Sequence, residues 1–173
     1  MMGRLAVLAL IGALGVAPAA AQSATMQIQA NAFMLGTPLA IQGSRGLDFG
    51  FALLGVPRTV LPTSPAAGKW VVTGEKNADV LISFNLPATL SHVTLPATAL
   101  PLSFPAGSAR WRRRTDDPAG ATAFTPALGA TGRLGPPVEP VMYIWLGGTV
   151  SPAPTQAGGL YTATVVALVA YTN

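Results

Sequence analysis

The amino-acid sequence predicts an all-β protein, an immunoglobulin-like β-sandwich of about seven to nine antiparallel strands. Three observations carry that reading. Short runs of β-branched and aromatic residues recur along the chain, separated by turn residues. The 19 glycines and 16 prolines fall between these runs, where they punctuate turns. Outside an apolar run at the N-terminus, no stretch shows helical periodicity, and no repeat of fixed period is visible.

The elements follow in chain order. Arg4, the apolar stretch Leu5 to Val16 and Ala19-Ala20-Ala21 have the form of a signal peptide at residues 1–21, cleaved after Ala21. The apolar stretch is too short for a membrane span, so no transmembrane helix is expected after cleavage. An uncleaved signal anchor is the rival reading. Residues 22–46 are an N-terminal arm with the first strand or strands, and 47–173 are the body of the same domain. In the arm, Met26, Ile28 and Ala30 alternate with Gln27, Gln29 and Asn31, a half-buried strand pattern. Pro38 to Ile41 leads to a turn at Gly43 to Gly46, and Leu47 to Leu54 reads as a strand. Arg58 to Leu61 is a short strand. Lys69 to Gly74 and Asp79 to Phe84 read as a hairpin about Gly74-Glu75-Lys76-Asn77. Leu90 to Leu95 and Leu100 to Phe104 follow, and Pro101 predicts a sheet edge or bulge. Ala109 to Thr115 is a strand, residues 118–139 are a long loop, and Val141 to Leu146 is a strong strand. Gly147-Gly148 predicts a bulge or tight turn before Thr149-Val150.

The last element is the longest. Leu160 to Tyr171 reads as one continuous strand opened by Gly158-Gly159. One face carries Tyr161, Ala163, Val165, Ala167, Val169 and Tyr171. The other carries Leu160, Val166 and Leu168 among smaller residues. Two apolar faces predict a place in the middle of a sheet covered on both sides.

Chemistry finds little material here. The chain has one histidine, His92, six carboxylates and no cysteine. Acid–base or metal chemistry needs several such groups to converge. Asp116-Asp117 is the single adjacent carboxylate pair, and neighbouring strand residues point to opposite faces. It also lacks the spaced oxygen ligands of a calcium loop. No catalytic, cofactor-binding or metal residue is therefore assigned, and the protein is read as a non-enzyme without cofactor. His92 is expected to be an exposed or edge residue.

The run Arg110-Trp111-Arg112-Arg113-Arg114 is the most distinctive polar feature. On a strand, Arg110, Arg112 and Arg114 share a face. One reading is a solvated edge whose arginines pair with Asp116 and Asp117. The other is a site on Arg110, Arg112, Arg113 and Arg114 for an anionic polysaccharide or lipopolysaccharide, held by guanidinium forks. No nucleic-acid partner is expected, because no aromatic stacking series accompanies the arginines. Trp70, Tyr143 and Trp145 read as core or rim aromatics, with a carbohydrate platform as the alternative.

Leu47-Asp48-Phe49-Gly50, Val72-Thr73-Gly74, Leu146-Gly147-Gly148-Thr149-Val150, Ala157-Gly158-Gly159-Leu160-Tyr161 and Val169-Ala170-Tyr171, in that order, resemble the bacterial domain of unknown function 4402 family. The likeness spans roughly residues 25–173. More distantly, the chain is similar to spore-coat-U-like and chaperone–usher pilin-like subunits, although it has none of the cysteines usual in the former and its arginine run is unusually basic. The resemblance implies a secreted structural protein of the bacterial periplasm or outer cell surface. It also implies self-association or association with related surface subunits, and a periplasmic chaperone as partner. Pilin-like sandwiches receive a missing strand from the next subunit's arm, which makes Met26, Ile28 and Ala30 the candidate donor strand. Two alternatives stay open: the arm pairs within its own sandwich, or the protein is a monomeric binding module for an anionic glycan.

Overall fold

The computed structural model describes residues 36–172, all within one compact unit that runs from Met34 to Asn173. The signal segment and the candidate donor residues Met26, Ile28 and Ala30 lie outside the described residues. Among the described residues the fold is all-β, with thirteen strands in three antiparallel sheets and no helix.

The first sheet has the order β1 (Ala40–Arg45), β3 (Gly68–Thr73), β10 (Val141–Leu146), β7 (Ala109–Arg113), β8 (Thr122–Phe124). A second sheet, β13 (Val166–Tyr171), β4 (Asp79–Asn85), β9 (Ala130–Arg133), faces it. Val72, Met142 and Ile144 of the first sheet meet Val80 and Ile82 of the second, with Leu134 beside them, and all are fully buried. Trp70, Phe84 and Phe124 extend this core, with ring centroids 5.6 Å apart for Trp70 and Phe84 and 6.1 Å for Phe84 and Phe124. Two apolar sheet faces closed on each other make a β-sandwich. The third sheet, β12 (Tyr161–Thr162), β5 (Thr89–His92), β6 (Ala99–Ser103), β11 (Gly148–Val150), β2 (Arg58–Val60), has a smaller core of Leu100, Leu102 and Val150 under Phe49 and Tyr161.

The strands outnumber the sequence expectation because continuous apolar runs change sheets. β10 passes into β11 through Gly147, where a Cβ would lie 2.2 Å from the Val60 carbonyl oxygen. Only glycine lets the backbone through that gap. The final run is likewise divided: β12 pairs with β5, β13 pairs with β4, and residues 163–165 cross between the two sheets.

Other expectations are corrected. β3 and β4 do not form a hairpin; they lie in opposite sheets, and Val72 meets Val80 and Ile82 across the core. Both edges of each strand are already paired, β3 with β1 and β10, β4 with β13 and β9. The turn between them therefore carries the chain from one layer to the other, helped by Asn77 at φ 55°. Leu47 to Leu54 is a loop, not a strand. The Asp48 carboxylate accepts the Gly50 N–H at 2.8 Å, Gly50 and Gly55 are left-handed at φ 61° and 72°, and Phe51 is 97% exposed. β1 runs through the expected turn at Gly43 with a bulge before Arg45. Residues 118–139 contain β8 and β9. Pro101 sits inside a sheet, where its carbonyl accepts the Ser151 N–H at 3.0 Å while the Leu102 N–H turns the other way, toward Ala88. The donor that proline lacks therefore falls on the β11 side, one residue past the end of that strand at Val150.

Candidate functional site

The arginine run lies on β7, between β10 and β8, and not at an edge. Trp111 turns inward against the main core. Register puts Arg110 opposite Trp145, Arg112 opposite Tyr143, and Lys69 on the far side of Trp145, so these side chains share the outer face of the first sheet. There they hold the segment 115–121. One Arg110 Nη donates to the carbonyls of Pro118 and Ala119 at 3.1 and 3.2 Å. Arg112 Nη1 donates to the Asp117 carboxylate at 2.6 Å. Lys69 Nζ pairs with Asp116 and lies 5.1 Å from the centre of the Tyr143 ring. Under this cover Trp145 is 1% exposed, with the Tyr143 ring stacked at 6.0 Å.

The electrostatics follow from these bonds. The Asp117 carboxyl is held below its ordinary value, first by the Ala119 N–H and then by Arg112. Burial raises the Tyr143 phenol, and Asp116 and Glu139 push it the same way. Arg110 and Arg112 are thus engaged within the molecule, and Arg113 and Arg114 are the exposed pair. Arg114 follows the end of β7 at φ 67°, with its Nε 3.8 Å from Glu139. Tyr143 and Trp145 do not form an open platform; Trp70 faces the core. Sequence reasoning missed Lys69, because its partner stands 47 residues away and no local pattern links them.

His92 is buried, not exposed, and β5 runs between β12 and β6. Among the described residues, no group of three histidine, cysteine or carboxylate side chains stands close enough to hold a metal ion. No helix among them is long and apolar enough to cross a membrane.

The second feature with functional geometry is β13. It pairs with β4 alone among the described residues. The Thr172 N–H donates to the Asp79 carbonyl at 3.0 Å. Amides alternate along a strand, so Val166, Leu168 and Ala170 bond to β4, and Ala167, Val169 and Tyr171 turn their N–H and C=O groups outward. Other free edges are blunted. β1 carries a bulge and Arg45, β9 carries Arg133, and β2, β8 and β12 are three residues or fewer. β13 has six residues, no charge and no proline. Its outer face leaves Val166 and Leu168 exposed, beside Leu81 of β4. At its end the Tyr171 hydroxyl donates to the Thr37 carbonyl at 2.9 Å, which fixes the start of the described chain there.

No family model matches this chain, and no curated protein matches it.

Proposed function

We propose that this protein is a secreted, non-enzymatic structural or cell-surface subunit that associates by β-strand addition. The observation that carries the reading is the edge of β13, unpaired among the described residues, uncharged, proline-free and six residues long. Natural sheets normally protect such an edge with charge, proline or a bulge, because it templates pairing with another chain. The arm supplies a strand of matching pattern in Met26, Ile28 and Ala30. An added strand gains affinity from main-chain hydrogen bonds and specificity from alternate side chains. The resemblance to pilin-like subunits points the same way. Deleting residues 22–31 and supplying them as a peptide in trans tests the idea. The truncated protein stays folded, stops polymerising and binds the peptide. Full-length protein that stays monomeric at high concentration, with Ile28→Asp lowering only its stability, contradicts it.

A second reading, a module for an anionic glycan or lipopolysaccharide, rests on the exposure of Arg113 and Arg114. Heparin binding at low salt that is lost in the Arg113→Ser, Arg114→Ser variant supports it; wild-type protein that ignores heparin removes it.

A further inference from the structure

His92 is the chain's single histidine, and it is 5% exposed. It ends β5 opposite Tyr161 of β12. Its Nδ1 accepts the backbone N–H groups of Thr94 and Leu95, both at 3.1 Å, with the Thr94 hydroxyl at 3.3 Å. A nitrogen that accepts two N–H bonds carries no proton. The ring proton therefore sits on Nε2, which donates to the Gly158 carbonyl at 3.1 Å. The Tyr161 ring meets the imidazole edge-on at 4.8 Å. Gly159 passes so near that a Cβ there would lie 2.0 Å from Nε2. The Val93 N–H adds a bond to the Leu160 carbonyl at 2.9 Å. A neutral imidazole thus ties the segment Gly158–Thr162 to the end of β5.

We propose that His92 is a pH-sensitive clamp, whose protonation releases Gly158–Thr162 from β5 while the main sandwich stays closed. The second ring proton must sit on Nδ1, facing two backbone N–H donors that cannot rotate away, so the ring has to leave its place and give up the Nε2 bond to Gly158 as it does so. Among the described residues no acidic side chain faces the ring to offset the new charge. The groups that face the ring are Tyr161 from β12, the backbone of Gly158 and Gly159, and Thr94 and Leu95 from the loop after β5. None of these side chains is charged, and no ion pair among the described residues involves His92. β12 pairs with β5 through two residues only, and Tyr161 adds packing on Leu100, Leu102 and Val150 and hydroxyl bonds to Gln156 and Ala157 within its own segment. β13 is secured separately by its six-residue ladder with β4. Opening is therefore local, and it uncovers the edge of β5. This inference does not depend on the strand-addition reading.

The test follows the imidazole nitrogens by NMR, alongside amide hydrogen-exchange protection. The chain from residue 22 onward is acidified from about pH 7.5 to about pH 4.5. As the ring protonates, protection of the Val93, Thr94 and Leu95 amides falls by at least about tenfold, and that of Val80, Ile82 and Ile144 holds. His92→Asn keeps an acceptor for the Thr94 and Leu95 N–H groups but does not titrate, so it loses the response. A protonated ring with unchanged protection overturns the proposal. So does a ring that stays neutral until the whole sandwich unfolds, or an identical response in His92→Asn. Should His92→Asn not fold, the wild-type ring signals and amides decide between these outcomes.

Discussion

β10 and β13 are each six residues long, uncharged and free of proline, yet β10 lies at the centre of its sheet and β13 at the border of another. β10 is paired on both edges and covered on both faces. Met142 and Ile144 face the main core, and Trp145 lies under the segment 115–121. Among the described residues β13 has one unpaired edge and one open face. The difference is made by residues remote in sequence from either strand. Lys69, Arg110 and Arg112 draw a polar loop across the outer face of β10, and among the described residues no comparable side chain does so over Val166 and Leu168. A strand's hydropathy states what it can bury. Its neighbours decide what is buried.

The largest effect that sharpens the contrast is the loss of a core side chain. Ile144→Ala removes a fully buried side chain from β10 and should cost about 2–5 kcal/mol in urea unfolding. Leu168→Ala on β13, where the leucine is 51% exposed, should stay within about 1 kcal/mol. Similar losses at the two sites would break the comparison. Next comes Gly147→Ala, whose methyl meets the Val60 carbonyl. It should cost about 1–3 kcal/mol as overpacking, and an unchanged melting temperature would mean that the passage from β10 to β11 is looser than described.

The sequence makes β10 legible to the residue and places the inward face of β4 correctly, but the two apolar faces of the last run predict a covered mid-sheet strand, whereas β13 borders its sheet among the described residues and leaves Val166 and Leu168 exposed. Val80 and Ile82 are buried as alternation requires, and Ala167, Val169 and Tyr171 turn inward. Pairing partners were not legible. Gly74 to Asn77 has hairpin composition, but an arch between layers uses the same turn residues. The division of Leu160 to Tyr171 leaves no local trace either, because Ala163, Thr164 and Val165 are as acceptable in a strand as in a crossing. The arginine run was visible, but not its work. Alternation puts Arg110 and Arg112 on one face, and only the fold brings the carbonyls of residues 118 and 119 over them. The burial of His92 was equally hidden, since its partners at Gly158 and Tyr161 stand 66 residues and more away.

A smaller effect concerns pH. The folded-state value of Asp117 lies below its ordinary one, so its contribution is present above the unfolded value and is lost as pH falls through the folded value. Acidification should therefore loosen the cover over β10 and leave β13 unaffected. Trp145 fluorescence should show an acid step that Asp117→Asn abolishes; a step that persists in that variant would assign it to another group.

Whether the outward backbone groups of β13 accept another strand is decided by sedimentation of residues 22–173 and their Ala167→Pro variant over a range of concentrations. Proline at this position removes one outward N–H and no bond to β4, which an edge strand tolerates. Concentration-dependent assemblies are expected for the wild type and a folded monomer for Ala167→Pro. Assemblies of the same size from both proteins would contradict strand addition at this edge.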